Sequence, residues 1–514
     1  MTTHPTSGRT VAIIGGGPAG LAAGRLIKLA DPTAQVTVYE RTDSSTETFG
    51  FGVGLTEATM NNLAQVDPQT ADRLREAAYG GHSLVLRTEG RDVGLHGARN
   101  LAIGRAVLLE VLTKAALDVG VEIRAGVKAD PADIAADVVV AADGARSAVR
   151  DAVAEQLGVH VAHGNLHFLW CGTDFAVDNA HFTWRGTGDE QFVVHAYPYA
   201  DDRSTFLIEA DEVTWEAAGL AANADATPAG ESDTASLAHL ERVFADELRG
   251  RALLANRTRW ARFPNVTLDH WSTGKIVLIG DAAHTAHYTI GSGTKLAIED
   301  AIALAVALAE HADTTEAFAA YEAARRPSVQ RFKHLAARSQ NWWSSFRDRS
   351  DDAPEVMALS YMTRAGNLGI AHYAAEFPET ATAALRGLGA KPTGGWADVD
   401  DWVLGLPVDL PALRAPTREL TDELLAGAAR VNWPGGAAWS AQHDAFVADV
   451  VAADDPVVVV SGPSDPAAVG ARIDLAERIR WAGKTVVVEI PAALRAEAAA
   501  AVAVGRADAV VLTA

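Results

Sequence analysis

A single cysteine, Cys171, stands among 514 residues. One thiol can form neither an intrachain disulfide nor a thiolate metal cluster, and it suits a reducing compartment. Positive charge is scarce as well: 44 Lys and Arg face 66 Asp and Glu, a formal net charge of −22. Nucleic acid and anionic membrane surfaces would repel such a chain, so neither is expected as a partner. Long apolar runs are missing. The longest, such as AIALAVALA at Ala301–Ala309, fall far short of the ~20 residues a membrane span needs. The opening MTTHPTSGRT has no apolar core of signal-peptide length, and a cytoplasmic location is expected. What remains is ordinary for a globular protein, with 48% hydrophobic and 21% charged residues. The length allows two to three domains at roughly 100–200 residues each.

The first apolar run, TVAII (Thr10–Ile14), reads as a buried strand. AGLAAGRLIKLA then reads as a helix and QVTVYE (Gln35–Glu40) as a second strand, which together make a βαβ unit. LLEVLTKAALDVGVEIRAG (Leu108–Gly126) reads as helix then strand, and ADVVVAADG (Ala136–Gly144) as another buried strand. Between about Asn165 and Glu209 apolar and polar residues alternate, the period of an antiparallel sheet with one covered face. AANADATPAGESDTA (Ala221–Ala235) has few large apolar residues and reads as a mobile insert. The strand KIVLIG precedes a long helical stretch from about Thr294 to Asn341. A Pro/Gly-rich linker, GAKPTGGWADVDD (Gly389–Asp401), leads into a tail that reads β-α-β-α-β.

VAIIGGGPAG places Gly15, Gly17 and Gly20 in the G-x-G-x-x-G pattern, with Glu40 closing the next strand. Gly15 serves the tight turn, Gly17 the close approach of a pyrophosphate, and Gly20 the helix–strand packing. The helix dipole favours the phosphates, and Glu40 can accept hydrogen bonds from an adenosine ribose. Ala19, inside the motif, and Arg41, beside Glu40, complete this half of the expected cofactor site. GDAAHTAHYTIGSGTK (Gly280–Lys295) supplies the other half. A carboxylate at a strand's carboxyl end would repel a pyrophosphate and suits a neutral polyol such as a flavin's ribityl chain. Ala282 and Ala283 stay out of the way. Gly291 and Gly293 allow a flat ring to approach, and the helix starting near Thr294 offers free N–H groups to its carbonyl edge.

GGGPAG, ADGARSAVR (Ala142–Arg150) and GDAAH are similar, in that order, to the three motifs of class A FAD-dependent aromatic hydroxylases, the p-hydroxybenzoate hydroxylase fold. A closer resemblance, to the salicylyl-CoA 5-hydroxylase and anthraniloyl-CoA monooxygenase branch, is carried by FGFGVGLTEATMNNL (Phe49–Leu63), WCGT, HAYPY, STFLIEADEVTWEAAGL and GDAAHTAHYTIGSGTKLAIEDA. It spans roughly residues 10–345. The resemblance implies an α/β fold: a Rossmann-like FAD-binding domain, an antiparallel-sheet substrate domain and a small C-terminal α/β domain. The expected boundaries are 1–80, 98–164 and 267–345 for the FAD-binding domain, and 81–97 with 165–266 for the substrate sheet. A helical extension follows at 346–388, then the linker 389–401. The last domain, 402–514, is a reductase-barrel remnant or a thioredoxin-like appendage, and without a CxxC motif it would not be redox-active. By resemblance, the GGGPAG motif binds the ADP part of FAD and Asp143 with Gly144 lies near the FAD and NAD(P)H path. Asp281 meets the ribityl chain, and Arg105 of AIGRAVLLEVL reaches FAD phosphate. Two departures stand out. Tyr288 occupies a position where the wider family usually has proline, and Lys295 one where many relatives have asparagine.

His195 and Tyr197, two apart on a strand of the sheet that would roof the substrate, share one face. With His287 they are the candidate catalytic groups, because attack on a phenol or aniline ring requires proton movement. His284 follows the aspartate and is read as shaping the loop. The H-x-x-H spacing at 284–287 lacks the glutamate and helix of a zinc protease, so no metal is expected. Trp170, Trp184 and Trp215 could line an aromatic pocket or pack the core.

The expected activity is an NAD(P)H-consuming, FAD-dependent hydroxylation in which a flavin hydroperoxide places one oxygen of O2 on an aromatic ring. The expected substrate is a small aromatic, possibly CoA- or carrier-protein-bound, of salicyl or anthraniloyl type, and the expected assembly is a monomer or homodimer. A reductase or oxidase of this fold without oxygen transfer and a non-catalytic FAD-binding module are the alternatives. A flavin halogenase shares the fold but would carry a W-x-W-x-I signature that is missing here.

Overall fold

The computed structural model describes residues 8–43, 51–88, 91–228, 230–291, 293–389, 395–436 and 439–514. Phe49 and Gly50 at the start of FGFGVGLTEATMNNL, most of MTTHPTSGRT, Ser292 and linker residues 390–394 lie outside them. The chain divides into two compact units, 8–84 with 98–333, and 85–97 with 334–514.

In the first unit the apolar strands β1 (Thr10–Ile14), β2 (Gln35–Tyr39), β6 (Glu122–Arg124), β7 (Val138–Ala141), β13 (Ser272–Thr273) and β14 (Ile276–Leu278) form a six-stranded sheet. Its order is β13-β14-β7-β1-β2-β6, parallel throughout except for the short edge pair β13–β14. Val138–Ala141 and Ile13 are fully buried, as expected for strands covered on both faces. The helices Pro18–Ala30 and Gly293–Glu310 pack against each other beside this sheet. Four adjacent strands, β14, β7, β1 and β2, run the same way, so their carboxyl ends form one crest. At about 4.8 Å per strand the crest spans roughly 14 Å, and ligands of open α/β sheets bind at such an edge.

The second sheet has the order β12-β8-β11-β10-β9-β4-β5-β3. Its strands are β3 (Gly52–Leu55), β4 (Tyr79–Thr88), β5 (Arg91–Gly104), β8 (Val159–Thr173), β9 (Ala180–Arg185), β10 (Phe192–Ala200), β11 (Arg203–Ala210) and β12 (Ala261–Leu268). The alternation of its sequence separates two faces. Leu169, Cys171, Val194, Ala196, Phe206 and Ile208 pack with Trp215, Leu237 and Leu240 of the helices that cover one side. Opposite residues of paired strands share a face, which places Phe182, His195, Leu207 and Trp170 in one row of the other side. Trp184, Val193, Glu209 and Phe168 form the next row.

The stretch read as a mobile insert is ordered in part. Leu220–Ala226 is a helix anchored by the buried Leu220, and the helix Thr234–Val243 is capped by Asp233. Alanine's helix propensity and two anchoring side chains outweigh the poor apolar content. The single helical stretch expected from Thr294 is two helices, Gly293–Glu310 and Thr314–Ser344.

The second unit holds the hairpin β15 (Val408–Leu410) and β16 (Leu413–Ala415) and a four-stranded sheet. That sheet, β17 (Ala429–Asn432), β18 (Val457–Ser461), β19 (Thr485–Pro491) and β20 (Ala509–Thr513), is all-parallel in sequential order. Val408 and Leu413 of the hairpin pack on Val457, Val459, Val487 and Val511. No helix among the described residues is long and apolar enough to cross a membrane.

Candidate active site

Each strand of the crest ends in an expected site residue. β1 delivers Gly15–Gly17, β2 Glu40, β7 Asp143 and β14 Gly280–Asp281. Gly15 has φ +111°, and a Cβ there would lie 2.3 Å from the Ala142 carbonyl oxygen, so the turn after β1 closes directly on the end of β7. Gly17 caps the helix Pro18–Ala30 with no side-chain partner and open space where a Cβ would stand. Proline at N1 removes a donor that would have no use there, and the following N–H groups point at the crest. A Cβ on Gly20 would meet the Gly15 carbonyl oxygen at 2.0 Å, which is the close helix–strand packing expected of the third glycine.

The two distant motifs meet. A Cβ on Gly280 would stand 3.1 Å from the Cβ of Ala19, so the turn after β14 packs on the first turn of the glycine-motif helix. Asp281 is exposed, yet neighbours crowd it closely enough that desolvation raises its carboxyl, against the opposing charges of His284 and Arg105. That is the setting of a carboxylate on the floor of an open crevice. Burial lowers the Arg105 guanidinium, and the charges of Asp281 and Glu40 oppose that shift. Arg105 opens its helix directly after β5 and thus stands in the field of both ends of the crest. Glu40 is oriented by the glycine loop itself: Gly16 N donates to its Oε2 at 2.7 Å and Thr42 N to its Oε1 at 2.9 Å. Arg41 is exposed beside it. Asp143 accepts from Ser147 Oγ at 2.5 Å and Val149 N at 3.2 Å, fixing the turn after β7. Gly291, at φ +62°, and Gly293 have no heavy atom within 4 Å of where a Cβ would stand, and Thr294 follows in the first turn of its helix.

A group that sequence reasoning passed over holds the second motif in place. Asp300 is fully buried and accepts from Gly280 N at 2.9 Å, His284 Nε2 at 2.8 Å and Arg325 Nε at 2.9 Å. Burial alone would raise its carboxyl, but His284 and Arg325 outweigh that and hold it below the usual range. Glu299 beside it pairs with Arg325 and Lys295. His284 is therefore spent on positioning the turn. The signal was present as Glu299-Asp300 on the apolar face of a buried helix.

The catalytic candidates lie on the aromatic side of the second sheet. His195 Nε2 donates to Glu209 Oε2 at 3.0 Å, and the Tyr288 hydroxyl donates to Glu209 Oε1 at 2.6 Å. Glu209 is only 2% exposed, and its sole ion-pair partner among the described residues is His195. Burial would raise its carboxyl; His195, His287 and the Tyr288 hydroxyl together hold it below the usual range. His287 is buried, meets Phe263 edge to face and Tyr288 at a tilt, and bonds Thr289 Oγ1 through Nδ1 at 3.1 Å. Burial pushes its pKa down to about 4, so its imidazole is neutral at ordinary pH. The Tyr197 hydroxyl donates to the Gly52 carbonyl at 2.7 Å, and burial raises its pKa to about 12. Trp170 stands with Phe168 and Tyr288 on the aromatic side, whereas Trp215 stacks on His167 and packs in the opposite core. Glu209 was legible only as the last polar residue of STFLIEA. Its importance comes from Tyr288, 79 residues away.

These residues fit FAD. Donors at a helix N-terminus and an arginine suit the diphosphate, carboxylates at both ends of the crest suit sugar hydroxyls, and two open glycines admit a flat ring. No group of His, Cys, Asp and Glu among the described residues could hold a metal ion.

Comparison with known proteins agrees. Residues 103–336 match a family described as an FAD binding domain. Salicyloyl-CoA 5-hydroxylase of a Streptomyces species is 36% identical over 431 residues, 81% of this chain and 80% of that protein. The 3-hydroxy-4-methyl-anthranilyl-[aryl-carrier protein] 5-monooxygenase of Streptosporangium sibiricum is 36% identical over 386 residues, 75% of this chain and 99% of its own length. Among solved structures, 2-methyl-3-hydroxypyridine-5-carboxylic acid oxygenase superposes with a TM-score of 0.55 at 20% identity, covering 70% of this chain and 96% of that one, a likeness of fold. By sequence, fold and site chemistry together, the chain belongs to the FAD-dependent aromatic monooxygenases of the FAD-binding-domain family.

Proposed function

We propose that this monooxygenase hydroxylates the aromatic ring of a salicyl- or anthraniloyl-type acyl thioester, consuming NAD(P)H and O2. The observation that carries the reading is the aromatic face of the second sheet, which meets the loop behind Asp281 around one buried carboxylate, Glu209. The two relatives that match over most of the chain act, by their names, on a CoA-linked and a carrier-protein-linked substrate. Bound FAD would carry electrons from NAD(P)H to O2, and the oxygen atom delivered to the ring would come from O2.

The chain's own residues bind, orient and exclude water. Gly15, Gly17, Ala19 and Gly20 with their helix N-terminus take the pyrophosphate, joined by Arg105. Glu40, with Arg41 beside it, takes the adenosine ribose. Asp281 holds the ribityl chain, Asp143 shapes the neighbouring turn, and Gly291, Gly293 and Thr294 receive the ring's carbonyl edge. His195 acts through Glu209 on a polar substituent of the substrate ring. His287, neutral at ordinary pH, lines the slot beside that carboxylate. Tyr197 ties β10 to β3 and so positions the face. Phe168, Trp170 and Phe263 supply apolar surface that keeps the reacting ring dry.

The test is NADH and NADPH oxidation by FAD-loaded protein with free, CoA-bound and carrier-bound salicylate and anthranilate, with product mass read out. A gain of 16 mass units on a thioester, with oxidation faster than with the free acid, is the expected result. Oxidation that yields only hydrogen peroxide with all of them would refute the substrate assignment.

A further inference from the structure

One cluster carries an inference that rests on the aromatic character of the proposed substrate but not on its thioester. The Tyr288 ring lies within the aromatic lining. Phe168, Trp170, Phe263, His287 and His195 have ring centroids 4.1–6.3 Å from it, from both the sheet and its own loop. Four of the five meet it at 65–78°, the edge-to-face arrangement aromatic pairs prefer. Its hydroxyl donates to Glu209 Oε1. Tyr288 is thus a hydroxyphenyl group held by an aryl cage and a carboxylate, which is the chemistry a phenolic or aniline ring would itself present. It rides on a single short turn, Tyr288–Ile290, that ends at Gly291 in the left-handed region, and all three residues of the turn are half-buried.

We propose that Tyr288 is an internal stand-in for the substrate ring. Its phenol fills the aryl slot until a substrate displaces it, and Glu209 then accepts a hydrogen bond from the hydroxyl or amine of the incoming ring. Glu209 is the specificity-determining residue.

The reasoning is one of satisfied bonds. Glu209 has His195 on Oε2 and Tyr288 on Oε1, with no lysine or arginine partner among the described residues. The other titratable groups nearby do not replace Tyr288: His287 bonds Thr289, and the Tyr197 hydroxyl is spent on Gly52. If Tyr288 left without exchange, a buried charged oxygen would lose its donor. A ring with a hydroxyl or amine restores the bond one for one, and a ring without a donor leaves the oxygen unpaired. No proton or electron is transferred in this step, which is recognition alone.

The test uses FAD-loaded protein and calorimetric titration with phenol and methoxybenzene, then with 2-hydroxybenzoyl-CoA and benzoyl-CoA. Wild type should prefer the donor-bearing member of each pair by roughly ten- to a hundredfold, the cost of an unpaired buried acceptor. Tyr288→Phe keeps the ring but drops its bond to Glu209, so both members should bind tighter with the preference kept. Glu209→Gln removes the charge-assisted acceptor, and the preference should fall to about threefold or less. Tyr288→Phe weakening both ligands, as a wall residue would, overturns the stand-in role. A preference that survives Glu209→Gln overturns the selector role. If Glu209→Gln does not fold or retain FAD, Tyr288→Phe decides alone. Phenol and methoxybenzene carry no thioester, so fragments that behave as stated while both CoA esters fail to bind would refute the thioester reading and leave this one standing.

Discussion

Asp281 and His287 stand within six residues of each other and respond to their surroundings in opposite ways. On the proposed reading Asp281 accepts hydrogen bonds from a neutral polyol, and a charged acceptor of this kind contributes about 1.5–3 kcal/mol. Asp281→Ala should therefore fold normally and lose roughly ten- to a hundredfold in FAD affinity, read by flavin fluorescence on reconstituted apoprotein. Unchanged flavin content would place the carboxylate elsewhere. His287 has its pKa pushed down to about 4 by burial, while an unfolded chain titrates it near 6.5. Between these values the unfolded state binds a proton that the native state refuses, so stability falls as pH drops from about 6.5 and levels out below about 4. At pH 5 the loss relative to pH 7 is about 2 kcal/mol. His287→Asn should shrink the pH 5 to pH 7 difference in urea unfolding by that amount, and an unchanged difference would show that His287 is not the group responsible. At this scale the glycine turn and the orientation of Glu40 were legible, because Gly15 and Glu40 are tied to their neighbours by local turn chemistry. Glu209 and Asp300 were not, because what makes them matter is a partner on another strand or helix.

The turn between β1 and its helix separates two uses of glycine. Gly17 faces open space, whereas a Cβ on Gly20 would collide with the backbone of Gly15. Gly17→Ala should leave the melting temperature of the apoprotein nearly unchanged and weaken FAD binding, because the added methyl occupies the line of approach of a pyrophosphate. Gly20→Ala should destabilise the apoprotein itself by about 1–3 kcal/mol through overpacking. Thermal unfolding of both apoproteins alongside FAD titration checks the contrast, and equal destabilisation would contradict it. The elements that reading the chain recovered, β1, β2, β7, β8–β11, β14 and the tail strands β18–β20, carry strong periodicity or continuous apolar runs. β17 was missed because ARVN is four residues long with arginine and asparagine exposed. The helix in the supposed insert was missed because one buried leucine anchors it.

For the molecule as a whole, two units carry different kinds of interior. The first is largely apolar beneath its sheets, with the buried ion pair Arg25–Asp67 standing apart from the site. The second has a buried charge network: Glu477 bonds Arg349 and Arg506, and Arg506 also pairs with Asp474, each less than 10% exposed. Burial would raise the Glu477 carboxyl, but the two arginines hold it below the usual range. Glu477→Gln leaves two buried guanidiniums short of a counter-charge, and breaking such a network costs about 3–5 kcal/mol. Guanidinium-induced unfolding should show that loss, and a change under about 1 kcal/mol would mean the network is solvated. The tail strands β17–β20 wind sequentially and all-parallel. No short motif announced the charge network, since its members come from two separate helical stretches and a turn.

The lone thiol has a practical use. Cys171 lies in the sealed interior of the second sheet, and burial drives its thiol away from the reactive anion. Maleimide reagents should therefore ignore the native chain, and a cysteine introduced at exposed Val161 becomes the sole attachment point for a dye or spin label. The polypeptide is in effect its own blank for spectroscopy, so the signal of such a label reports the chosen position alone.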